Sequence, residues 1–218
     1  MNLIIAVTGS GTKSAEWASN FVALVSKLQS SGHSIKISMN GDDNNNALLG
    51  GDVLVGKRQK PFPEFDYDFI FIFRNDVLVN LEMMNKLMSH DKDFVSGAFR
   101  KADRSYDIIE NFDNVYFQSH GRFEYVSQEK MDTWTSEKKL IPVDSVGAGA
   151  ICLKKGVIEK LEYPWFRPVF YEILTRNGTR IVDFCDEITG FCRCLKDAGV
   201  DLFVDPLVRA SFQTPMIF

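Results

Sequence analysis

The sequence predicts an α/β fold built on a mostly parallel sheet with helices on its faces, and three observations carry that prediction. A strand–helix–strand unit opens the chain between Leu3 and Met39. The run Phe69–Phe73 (F-I-F-I-F) is apolar at every position, as in a strand buried on both faces, and breaks off at Arg74-Asn75-Asp76. Apolar strands then keep alternating with amphipathic helices, the pattern of parallel strands joined by crossovers.

In order, Leu3–Val7 is the first strand, followed by the loop Thr8-Gly9-Ser10-Gly11-Thr12. Trp17, Phe21, Leu24, Val25 and Leu28 recur at helical spacing, and Ser31-Gly32 ends that helix. Ile35, Ile37 and Met39 alternate as the second strand. A polar, glycine-rich stretch from Asn40 to Lys60 is expected to hold a short helix near 44–49. Leu81, Met84, Leu87 and Met88 mark the next helix, and residues 93–98 the next strand. Between Arg100 and Ile141 the short pieces Val115–Phe117 and Phe123–Val126 predict a small antiparallel segment. Val143–Leu153 returns to a core-like run with close-packing glycines, and 155–161 is expected to be a short helix. Asp186–Ala198 reads as a helix capped by Gly199, and Leu202–Val204 as a final strand ending at Asp205-Pro206.

The chain has 218 residues, 45% hydrophobic and 25% charged, with a net charge of −4. That length buries a sizeable core, and one domain over 1–218 is expected. The acidic balance argues against a broad nucleic-acid surface. No stretch approaches the roughly 18 apolar residues of a membrane span, and the N-terminal apolar run is too short for a secretory signal. Cys152, Cys185, Cys192 and Cys194 form no paired C-x-x-C knuckles, which argues against structural zinc and for reduced thiols in a cytoplasmic protein. His33, His90 and His120 have no ligand spacing and are assigned to the surface.

Gly9 and Gly11 follow a strand and precede a helix, which suggests dinucleotide binding. Ser14 stands where the fingerprint needs its third glycine, and the second strand ends in Met39-Asn40 without an acidic residue. The spacing of glycine and lysine also excludes a P-loop.

Four segments in order resemble the GT-A nucleotide-sugar glycosyltransferases, particularly the family 2-like group. They are R-N-D after the central strand, V-D-S-V-G-A-G-A-I-C-L, Y-P-W-F, and D-E-I-T-G-F-C-R-C-L-K-D-A-G before V-D-P-L-V-R. The resemblance covers Asn2 to about Gln213, and order and spacing carry it. It implies a single-domain, Rossmann-like GT-A fold, with a nucleotide-binding half at about 1–99 and an acceptor and catalytic half at about 100–218. It implies transfer of a sugar from a nucleoside-diphosphate sugar to a glycan or other hydroxyl acceptor, with inversion. Thr8, Gly9, Asn46, Arg74, Asn75, Asp76, Gly147, Ala148 and Gly149 would bind the donor. Trp165 and Phe166 would face the acceptor, and Asp186 or Glu187 would be the catalytic base. Helix capping is the competing role for these carboxylates.

The family's cofactor is Mn²⁺ or Mg²⁺ on an Asp-x-Asp. Here Arg74 replaces the first Asp, leaving Asp76 as the candidate metal ligand, and Phe212 stands where the family has a ligating His. Arg74 then either offsets diphosphate charge in the metal's place or pairs with Asp76 or Asp68. The competing functions are a non-catalytic nucleotide- or glycan-binding module and a sugar nucleotidyltransferase. The latter needs a basic glycine-rich loop after strand one, where only Lys13 is available.

Overall fold

The computed structural model describes residues 1–9, 14–39, 44–101, 105–174 and 178–212. Strand β1 (Asn2–Thr8) leads to α1 (Ala15–Ser30), β2 (Ser34–Met39) and the single-turn α2 (Asn45–Leu48). Then come β3 (Phe69–Arg74), β4 (Val77–Leu78), α3 (Leu81–Ser89) and β5 (Phe94–Phe99). The middle of the chain holds β6 (Ile108–Ile109), α4 (Asn114–His120), α5 (Gln128–Glu137), β7 (Ile141–Val143), β8 (Ser145–Val146) and β9 (Ile151–Lys154). A 3-10 turn (Ile158–Lys160), β10 (Phe170–Leu174), β11 (Arg180–Phe184), α6 (Glu187–Asp197) and β12 (Leu202–Phe212) complete it.

The expected α/β class holds. One eight-stranded sheet has the order β2-β1-β3-β9-β5-β12-β4, with β7 added beside β12. The β1–β2, β1–β3 and β5–β12 pairings are parallel, and β9 runs antiparallel between β3 and β5. β9 comes from the second half of the chain and its neighbours from the first, so both halves build one sheet. Smaller antiparallel pairs, β10–β11 and β6–β8, lie beside it.

Strand alternation explains the layering. Leu3, Ile5, Val7, Phe69, Phe71 and Phe73 pack on the face covered by α1 and α3, with Trp17, Phe21, Leu24, Met84 and Leu87. Ile4, Ala6, Ile70 and Ile72 face the other core, with Trp134, Trp165, Phe191 and Leu195. Ser14 caps α1, its Oγ accepting from Trp17 N at 3.0 Å. Among the described residues no helix is long and apolar enough to cross a membrane.

Four local expectations are corrected. Val115–Phe117 is not a strand but part of α4, where Asp113 Oδ1 accepts from Val115 N and Tyr116 N and the chain leaves through a left-handed Gly121. Phe123–Val126 makes only an isolated bridge, Tyr106 to Val126. Residues 155–161 hold a 3-10 turn in place of an α-helix. β12 runs on to Phe212, because a register shift between Asp205 and Arg209 carries it past Pro206, which has no N–H to give a ladder. His90 is a fifth correction: its Nε2 lies 2.7 Å from Oδ2 of Asp205, which is 3% exposed.

Candidate functional site

The parallel strands β1 and β3 end in register, Thr8 opposite Arg74. Asn75 ties the two ends together: its N donates to Thr8 O at 2.8 Å and its Nδ2 to Gly9 O at 2.9 Å. Gly9 has φ +112°, and a Cβ there would stand 2.7 Å from Asn75 Oδ1, so this crossing suits glycine alone. On the other side of β3, Arg74 N donates to Ala148 O at 3.0 Å, seating the turn Gly147-Ala148-Gly149 against the strand end. This is where the sheet changes from parallel to antiparallel pairing, at the carboxyl edge where open α/β sheets bind ligands.

A cavity of about 200 Å³ opens at this edge, lined among others by Arg74, Asp107, Gly147, Ala148, Asp186 and Thr189. Asp107 is absent from the sequence-derived set. It precedes the short strand β6 in S-Y-D-I-I, and nothing in that pattern separates it from an ordinary surface carboxylate. Gly147 N donates to Asp107 O at 2.7 Å, and a Cβ on Gly147 would run into the Asp107 carboxylate. The glycine therefore lets a carboxylate face the cavity. Lys101 Nζ lies 4.0 Å from Asp107 Oδ1 and 3.5 Å from the centre of the Tyr125 ring. Gly149 closes the turn beneath, where a Cβ would collide with Phe99.

Arg74 resolves in favour of one of its partners. Its Nε donates to Asp76 Oδ1 at 3.0 Å and its Nη2 to Asp76 Oδ2 at 2.6 Å. Asp68 instead accepts from the backbone N of Asn2 at 2.7 Å. Backbone pairing of β12 with β4 puts Phe212 opposite Val77, the residue after Asp76. The Phe212 side chain lies outside the described residues, as do loop residues 10–13 and 40–43. A divalent cation does not fit this arrangement. Asp76 stands without fellow ligands, since no three His, Cys, Asp or Glu side chains that could hold a metal come together among the described residues.

Asp186 and Glu187 sit side by side in sequence and do different things. Asp186 is the N-cap of α6: Oδ1 accepts from Ile188 N and Thr189 N, both at 2.9 Å, and Oδ2 from Thr189 Oγ1 at 2.8 Å. Glu187 Oε2 accepts from Asn45 Nδ2 at 3.1 Å, and Asn45 Oδ1 accepts from Thr8 Oγ1 at 2.6 Å. A polar chain Thr8–Asn45–Glu187 thus links the end of β1 to the start of α6.

Of the expected residues, Arg74, Gly147, Ala148 and Asp186 line the cavity, while Thr8, Gly9, Asn75, Asp76, Gly149 and Glu187 lie at the same edge without lining it. Three more are directed elsewhere. Asn46 spends its side chain on the backbone of Phe166, donating to its O at 2.6 Å and accepting from its N at 2.9 Å. Its neighbour Asn45 is the one that reaches the site. Trp165 and Phe166 do not present faces to an acceptor; they are 0% and 2% exposed. Phe166 stacks on Phe191 with centroids 4.3 Å apart, and Trp165 meets Tyr163 edge-on at 5.5 Å. Both are core, and the Asn46 clamp holds the Phe166 backbone in place there. The edge brings together Thr8, Gly9, Arg74, Asn75, Asp76, Gly147, Ala148, Asp186 and Glu187.

No family model and no curated protein matches the chain. Among solved structures, A197 from STIV is 13% identical with a TM-score of 0.48, the alignment covering 100% of this chain and 96% of that one. GalNAc-T7, solved with UDP, GalNAc and Mn²⁺, is 9% identical with a TM-score of 0.49. That alignment covers 97% of this chain but 43% of the other, so the chain spans less than half of that protein. At these values neither likeness assigns a ligand, a metal or a residue role.

Proposed function

We propose that the chain binds a nucleoside-diphosphate sugar at the carboxyl edge of its sheet and transfers the sugar, with inversion, to a hydroxyl acceptor. The observation that carries this reading is the convergence of the end of β3, residues 145–148 and the start of α6 on one cavity, with Asp107 beside them. These three lie in segments that carry the family resemblance, whereas Trp165 and Phe166 of the fourth are buried in the core.

Arg74 is the group suited to the diphosphate, with a planar fork that matches phosphate oxygens. Its present partner does not prevent this. The Arg74 and Asp76 side chains are 43% and 32% exposed, and partly exposed ion pairs contribute only about 0–1 kcal/mol. A diphosphate, with more charge than one carboxylate, displaces Asp76 from the fork.

Glu187 is the better base of the two adjacent carboxylates, because Asp186 is committed to three capping hydrogen bonds. In the transfer, Glu187 takes the proton of the acceptor hydroxyl and that oxygen bonds to the sugar's anomeric carbon. The bond from that carbon to the diphosphate breaks, and the leaving oxygen's charge falls beside Arg74. Asn45 holds Glu187 through one carboxylate oxygen.

A non-catalytic nucleotide-binding module is the second reading, favoured by the lack of a group of three metal-ligating side chains among the described residues. Glu187→Gln separates the two. Transfer falls by about 10²–10⁴-fold with donor affinity unchanged if Glu187 is the base. Wild-type protein that binds donor but neither transfers nor hydrolyses it supports the module.

A further inference from the structure

The loop between α2 and β3 holds three consecutive aliphatic side chains away from either core. Val53, Leu54 and Val55 are 75%, 90% and 60% exposed. Their backbone is tightly organised. Leu54 N donates to Asp52 Oδ1 at 2.8 Å, and Asp52 N donates to Gln59 Oε1 at 2.8 Å. Gln59 Nε2 donates back to Asp52 O at 2.9 Å and to Gly56 O at 2.7 Å. The Gln59 side chain therefore plugs the loop and turns its polar groups inward, while the aliphatic tip points out. Tyr163 N donates to Lys57 O at 2.8 Å, fixing the base of the loop to the body of the protein.

Single exposed apolar residues are ordinary, but a contiguous patch held out by a closed hydrogen-bonded loop marks an interaction surface. Its chemistry is specific. The tip itself is purely aliphatic. Exposed Lys57, Arg58 and Lys60 follow it directly, in a chain whose net charge is −4. Lys57 shares its charge with Glu162 at 3.1 Å, and Arg58 and Lys60, in a groove they share with Glu159, Lys160 and Glu162, are the cationic pair behind the tip. Short aliphatic insertion backed by cations is the pattern of a surface that lies on anionic lipid.

We propose that residues 53–60 dock the protein on an anionic membrane surface. Val53, Leu54 and Val55 enter the boundary between headgroups and acyl chains, and Arg58 and Lys60 meet lipid phosphates. The proposal is independent of sugar transfer.

Co-sedimentation with vesicles of equal parts phosphatidylcholine and phosphatidylglycerol tests it, with pure phosphatidylcholine vesicles as comparison. Wild-type protein is expected to pellet with the anionic vesicles, weakly with the neutral ones, and less as salt is raised. Leu54→Asp should cut partitioning at least tenfold, since each methylene withdrawn from the bilayer accounts for roughly fourfold. Arg58→Gln and Lys60→Gln should each cost roughly fivefold on anionic vesicles only. All three side chains sit on the exposed loop, and unchanged melting temperatures verify that the variants fold. Wild-type protein that stays in the supernatant with anionic vesicles overturns the proposal. So does a self-association seen by light scattering that Leu54→Asp abolishes while vesicle binding is unaffected, which would make the tip a contact between copies.

Discussion

Replacing Asn46 by Ala removes the clamp that fixes the chain at Phe166. Two backbone groups of Phe166 lose their partners, the O at 2.6 Å and the N at 2.9 Å, in a region where Asn46 is 8% and Phe166 2% exposed. A buried backbone group left unpaired costs about 1–3 kcal/mol, so two of them should cost the variant roughly 2–6 kcal/mol. For a chain of this size, about 3 °C per kcal/mol translates that into a drop of roughly 6–18 °C in Tm. Scanning calorimetry measures it directly. Asn46→Asp keeps the acceptor for Phe166 N but sets a carboxylate oxygen against the Phe166 carbonyl, so it should melt no higher than the alanine variant. A drop below about 2 °C for Asn46→Ala would refute the reasoning, because it would mean the clamp is replaced at no cost.

Asp186→Ala should destabilise the protein by about 0.5–2 kcal/mol in chemical denaturation, the usual cost of a lost N-cap. Burial pushes the Cys192 thiol up from 9.0 to about 12. The unfolded thiol therefore ionises from pH 9.0 while the folded one keeps its proton, and stability should fall as pH rises from 9.0 towards about 12. Denaturation midpoints of wild type and Cys192→Ala across that range should converge on the alkaline side; parallel curves would contradict the burial argument. Arg74→Asp combined with Phe212→His supplies the two ligands that the glycosyltransferase resemblance implies, and under the proposed function donor binding by that variant should become dependent on Mn²⁺, as read by calorimetry with and without EDTA.

The sheet was legible where burial is two-sided or periodic. Phe69–Phe73 announced itself as a central strand, and Trp17, Phe21, Leu24 and Leu28 as an amphipathic helix, because those patterns follow directly from strand and helix geometry. The middle of the chain was not. Val115–Phe117 is β-branched and aromatic, which favours strand, yet the Asp113 cap and Gly121 exit close a helix in which Phe117 alone is buried. α5 was missed because only Met131 and Trp134 mark its buried face. At the site, the strand-end residues and the 147–149 turn followed from sequence order. Asp107 did not, since its place beside Gly147 depends on tertiary packing. Trp165 and Phe166 were misjudged because an aromatic pair looks the same in sequence whether it faces a ligand or a core.

The central claim is that a diphosphate binds beside Arg74 and the 147–149 turn without a metal. Calorimetric titration of UDP, GDP, dTDP and their sugar conjugates, in EDTA and then in Mn²⁺, tests it on wild type, Arg74→Ala and Gly147→Ala. The account predicts that one of these nucleotides binds wild type equally with and without metal. It predicts weaker binding to Arg74→Ala, and loss of binding to Gly147→Ala, whose Cβ would force the Asp107 carboxylate into new positions in the cavity. Binding that vanishes in EDTA and returns with Mn²⁺, or that is indifferent to both substitutions, would contradict it.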